Sequence, residues 1–107
     1  MRTDVNMERL MESLHRTGDI GKTENGGITR PGFSREYEMA SKELIAMMKE
    51  AGLTVSKDRV GNIIGRREGS RSGALSIMTG SHLDTVTEGG LYDGNLGILS
   101  GSCQDDE

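Results

Sequence analysis

The sequence predicts an α/β chain. Two observations carry the prediction: the first half shows helical stripes of apolar residues, and the second half breaks into short apolar segments between glycine-rich turns. A third is an apolar run with β-branched content that leads directly into a His-x-Asp motif.

Each element has a local reason. Met7, Leu10, Met11 and Leu14 recur at i, i+3, i+4 and i+7, one stripe of a helix, with Asn6 as its N-cap and Gly18 and Gly21 as its end. Thr23 to Gly32 contains Gly26-Gly27 and Pro31-Gly32 and reads as a loop with tight turns. Arg30 stands before proline, which biases it away from helix. Ser34 caps a second helix that reaches about Ala51. Tyr37, Ala40, Leu44, Met47, Met48 and Ala51 form its buried stripe, and Gly52 is its stop.

Extended segments follow. Leu53-Thr54-Val55 leads into a polar turn at Lys57-Asp58-Arg59, and Ile63-Ile64 lies between glycines, with Asn62 read as a turn residue. Arg66 to Gly73 is a charged connection. Ala74 to Thr79 is predicted to be a buried strand. After a loop at Glu88 to Tyr92, Asp93 to Gly101 reads as a helix. Gly94, Gly97 and Gly101 make that helix weak by propensity, so packing must hold it. Beyond Ser100 the chain turns polar and acidic. There is no internal repeat.

Composition bounds the function. The 107 residues make one small domain at most. Hydrophobic residues are 33% and aromatics are Phe33, Tyr37 and Tyr92 alone, so the core is thin and the chain reads as a piece of something larger. A net charge of −4 leaves no basic surplus for nucleic acid or an anionic membrane. The single Cys103 cannot close an internal disulfide. Its place in the polar tail, with no histidine near it in sequence, reads as a tail thiol and not a nucleophile. Met1 to Leu10 is studded with charges and lacks a signal-peptide core. The longest apolar run, Leu44 to Met48, is far below the roughly 18 residues of a membrane span. The expectation is a soluble cytoplasmic protein.

The chemistry concentrates between His82 and Asp93. On extended backbone, His82 and Asp84 point to the same face, at the end of an apolar strand where open α/β sheets place their sites. A carboxylate beside an imidazole can fix its tautomer, and Asp93 offers a further ligand, with Gly94 leaving space around it. On spacing alone, a metal site and a solvated turn histidine both stand. Phosphate binding at the helix start is disfavoured: the pattern is not a P-loop, and Asp93 would repel the anion.

The runs Gly80-Ser81-His82-Leu83-Asp84-Thr85-Val86 and Glu88-Gly89-Gly90-Leu91-Tyr92-Asp93-Gly94 resemble the metal-binding signature of the M20 family of metal-dependent hydrolases. The resemblance is to its amidohydrolase branch: N-carbamoyl-L-amino acid hydrolases, allantoate amidohydrolases and β-ureidopropionases. Gly26-Gly27-Ile28-Thr29-Arg30 with Phe33-Ser34, and Asp58-Arg59-Val60-Gly61-Asn62-Ile63-Ile64-Gly65-Arg66, agree in order and spacing.

The resemblance implies the N-terminal part of a zinc-peptidase-like catalytic domain, spanning 1–107, family-like to about residue 100 and divergent in an acidic tail at 101–107. It implies that His82 ligates one metal, Asp84 orients that histidine, and Asp93 bridges two metals. The cofactor would be two divalent ions per site (Zn, Mn, Co or Ni), and the partner a small-molecule substrate with a linear amide or ureido C–N bond. Full-length relatives would dimerise through a lid domain that these residues lack. The family's paired glutamates, its other histidine ligand and its substrate-binding arginine and asparagine also lie downstream. His15 matches no family ligand. Thr29 and Arg30 match a family motif, with a structural turn held by a salt bridge and a substrate contact as competing roles. The tail after Ser100 departs from the family's apolar helix, as a frameshift, early stop or fragmentary gene model would produce. The isolated chain is expected to be inactive. The alternative is a non-catalytic short binding or degenerate protein that retains the segment.

Overall fold

The computed structural model describes residues 6–102. Its elements are α1 (Met7–Gly18), α2 (Arg35–Glu50), β1 (Thr54–Lys57), β2 (Ile63–Arg66) and α3 (Asn95–Ser102). Cys103 and the acidic tail from 103 onward lie outside the described residues.

Both long helices begin on the caps that their sequences offer. The Asn6 side chain accepts the Arg9 amide at 3.1 Å, and the Ser34 hydroxyl accepts the Tyr37 amide at 3.1 Å. Each removes one orphan amide from a first turn. The buried face of α1 runs Leu10, Ser13, Leu14, Thr17. That is the expected 3.6-residue stripe carried one turn further along, which leaves Met7 exposed and Met11 half-buried. α2 buries Ala40, Ser41, Leu44, Met47 and Met48 as its stripe requires. The two helices share one core with Leu83 and Leu99. At the rim of their contact, Arg16 of α1 bonds to Glu43 and Glu50 of α2.

β1 and β2 pair antiparallel, from Thr54↔Arg66 to Lys57↔Ile63. The turn between them is built by Asp58. Its carboxylate accepts the Val60 and Asn62 amides at 3.0 and 2.9 Å and the Asn62 side-chain amide at 2.7 Å. This is an Asx-type turn, and Gly61 supplies its positive φ. Asn62 is the turn residue that the sequence predicts.

One expectation fails. Ala74 to Thr79 is not a buried strand: it carries no regular structure, and Leu75, Ile77 and Met78 are 97%, 100% and 86% exposed. A strand needs a neighbour to take its amides and carbonyls. The sheet found among the described residues has two strands, and they pair with each other.

α3 shows why two glycines recur along it. A Cβ on Gly97 would meet the Ser81 side chain at 2.9 Å, and one on Gly101 would meet Thr79 at 2.7 Å. The bare face of the helix is the bed for residues 79–82. Propensity is given up so that the extended segment can lie against the helix. Among the described residues, no helix is long and apolar enough to cross a membrane.

Candidate metal centre

The segment that bears the site is anchored from below. Exposure alternates along it: His82 and Asp84 face out, while Leu83 and Thr85 are buried. The period of two is that of extended backbone, so the sequence expectation of one shared face holds. Leu83 enters the core at 6% exposure. Thr85 donates its hydroxyl to the Ile28 carbonyl at 2.9 Å and accepts the Arg30 amide at 2.8 Å. Ile28 and Gly89 form a backbone bridge that closes the loop beyond.

Arg30 sits beneath this segment with 0% exposure. Its Nε donates to the Leu83 carbonyl at 3.0 Å, and one terminal nitrogen donates to the carbonyls of Thr17 and Ile20. Burial holds the guanidinium's pKa below its ordinary value. Of the two roles weighed for Arg30 in the sequence, the structural one stands without its salt bridge and the substrate contact does not. Its bonds run to main-chain carbonyls and not to a carboxylate, and no surface is left for a substrate. Thr29, its neighbour, accepts the Glu88 amide at 2.9 Å and so ties down the loop before Asp93.

The three polar side chains expected at the site do come together. His82 Nδ1 lies 2.8 Å from the main-chain carbonyl of Asp84 and 3.3 Å from its carboxylate. His82 Nε2 lies 3.3 Å from Asp93 Oδ1. A carbonyl can only accept, so Nδ1 carries a proton, and Nε2 is the ring nitrogen that faces the Asp93 carboxylate. The orientation comes first from the backbone of Asp84 and second from its carboxylate. The imidazole's pKa is raised, chiefly by the bond to the Asp84 carbonyl, with the charges of Asp93 and Asp84 adding and slight burial opposing.

Gly94 has a sharper reason than space around Asp93. Its φ is +75°, and a Cβ there would come within 2.6 Å of three His82 atoms, ring nitrogen included. The imidazole lies on the backbone of Gly94.

This donor set suits a divalent ion. At metal–ligand distances of about 2.0–2.2 Å, two ligands of one tetrahedral ion stand about 3.3–3.5 Å apart. The observed 3.3 Å between Nε2 and Oδ1 matches that edge. Asp84 touches the opposite, Nδ1 edge of the ring. The three groups therefore do not enclose a common point, and among the described residues no three His, Cys, Asp or Glu side chains form a metal cage. His15 is exposed on α1, apart from these contacts.

No protein-family model matches the chain. Curated proteins do. An N-carbamoyl-L-amino acid amidohydrolase from Geobacillus stearothermophilus is 48% identical over 94 residues, 88% of this chain and 23% of that protein. An allantoate amidohydrolase from Bacillus subtilis is 41% identical over 80 residues, 75% of this chain and 19% of that protein. Among solved structures, a hydantoinase/carbamoylase family amidase from Burkholderia ambifaria superposes with a TM-score of 0.89 at 37% identity, covering 94% of this chain and 25% of its own. The chain thus spans about a quarter of the length of these relatives. The match in fold includes the helices and the short strand pair.

Proposed function

Because the chain belongs to the amidohydrolase family that includes the N-carbamoyl-L-amino acid and allantoate amidohydrolases, we propose that it is part of a metal-dependent hydrolase of linear amide or ureido C–N bonds. In this reading His82 Nε2 ligates one divalent ion, Asp93 bridges that ion to a second, and Asp84 holds the imidazole. Zinc, manganese, cobalt and nickel all accept such nitrogen and oxygen donors. A bound ion of this kind lowers the pKa of a water and polarises the scissile carbonyl.

The observation that carries the reading is the disposition of the His82 ring. Its Nδ1 is engaged by Asp84, and its Nε2 faces Asp93 at the separation of two ligands on one ion. Asp84 selects the tautomer that leaves Nε2 unprotonated. Gly94 lets the ring lie flat enough for Nε2 to reach Asp93.

The chain's own residues go no further than holding an ion. Two donors fall short of the roughly four that close a tetrahedral site, and a general base is needed besides. The 107 residues alone therefore bind an ion weakly and do not turn over substrate. The substrate is a small N-carbamoyl amino acid or allantoate-type molecule, the whole enzyme is a dimer, and its compartment is the cytoplasm.

The experiment is a titration of the chain with Zn²⁺, followed through the His82 ring resonances, beside an assay of ureido-bond hydrolysis with each of the four metals. The expected result is weak binding that is lost in His82→Ala, with no turnover. Turnover that disappears in His82→Ala overturns the inactivity, and ring resonances indifferent to the metal overturn the ligand assignment.

A further inference from the structure

Arg30 is a charged side chain where a hydrophobic one would be the simpler filling. Its guanidinium has 0% exposure, and the contacts around it are carbonyl oxygens from two separate parts of the chain. Thr17 and Ile20 close the C-terminal end of α1, the negative end of the helix dipole, where a cation is favoured. Leu83 lies between His82 and Asp84. The same residue grips the segment again through its backbone: its amide donates to the Thr85 hydroxyl at 2.8 Å, and its carbonyl accepts the Thr85 amide at 3.1 Å. Asp84 is thus flanked on both sides by residues tied to Arg30. Asp84 is also the residue whose carbonyl holds His82 Nδ1 at 2.8 Å.

We infer that Arg30 is the positioning residue of the site: by fixing Leu83 and Thr85 it fixes the Asp84 carbonyl, and so selects the Nδ1-protonated tautomer of His82. The planar fork suits the task, because it reaches toward Leu83 with Nε and toward α1 with a terminal nitrogen at once, which an ammonium cannot do. Arg30 touches neither substrate nor ion. It acts through the backbone of the segment that does. Its consequence for metal affinity rests on the ligand assignment proposed above, while its consequence for the imidazole does not.

The test is the tautomer of His82, read from its ring nitrogen shifts at one pH where the ring is neutral, in the 107-residue chain and in Arg30→Met. Far-UV circular dichroism reports whether the helices persist. The expected result is a single Nδ1–H tautomer in the parent and a mixture of tautomers in a still helical Arg30→Met, with Zn²⁺ affinity falling at least about tenfold. A folded Arg30→Met that keeps the parent tautomer overturns the inference. If Arg30→Met does not fold, Arg30→Lys decides, since it keeps the buried charge and removes the Nε bond to the Leu83 carbonyl. A mixture there supports the inference, and an unchanged tautomer overturns it. A tautomer that follows Arg30 in a chain whose His82 ignores Zn²⁺ upholds the positioning role and rejects the ligand assignment instead.

Discussion

At Gly94 one methyl group separates a formed site from a disrupted one. A side chain there meets the His82 ring and must also adopt a φ of +75°, which L residues resist. Gly94→Ala is expected to displace the imidazole from Asp93 and to destabilise the chain by about 1–3 kcal/mol, the scale of a strained backbone position. Thermal melts and the His82 ring shifts check both. Asp58 carries a pH dependence. Its carboxyl is held below the usual carboxylate range, first by the Asn62 side chain and then by the turn amides. A depressed acid stabilises the fold above its unfolded pKa, about 3.9, and the gain is lost as pH falls through the lower folded value. Acid titration of the hairpin's amide shifts should show this loss, and Asp58→Ala should abolish it. These residues were legible to different degrees. Asp58 and Asn62 could be read because an Asx turn needs only neighbours in sequence. Arg30 could not, because its side-chain partners lie up to 53 residues away and a guanidinium bonded to carbonyls leaves no charge pattern to see.

The elements stand on unequal footing. α1 and α2 were readable down to their caps, because periodicity and capping are local. Their packing has one critical point in Leu14, which is 0% exposed at the centre of a small core. Leu14→Ala is expected to lower stability by about 2–5 kcal/mol, enough to unfold a domain with so few large side chains. Urea denaturation followed by circular dichroism tests this. The segment Ala74 to Thr79 was misread for a physical reason. An apolar run with some β-branched content reports what the segment can pair with, not whether a partner is present. The glycines of α3 were legible as a weakness but not as a bed, since what lies on them is separated from them in sequence.

The whole molecule is a slab of 48 × 33 × 18 Å. Leu75, Ile77 and Met78 stand bare on its surface. Such a patch is expected to bind hydrophobic dye and to drive association of the isolated chain. Replacing Leu75 and Ile77 by serine should reduce dye fluorescence and shift size-exclusion elution toward the monomer, with the helical signal unchanged. The tie from Arg30 to Leu83 also has a bearing on how the protein is made. It joins residues 53 positions apart, so a nascent chain that has already exposed Arg30 and α1 waits for the segment that completes their pocket. At about 5–20 residues per second the delay is about 3–10 s. Through that interval the apolar face of α1 is on the ribosome without the Leu83 and Leu99 side chains that later help to cover it.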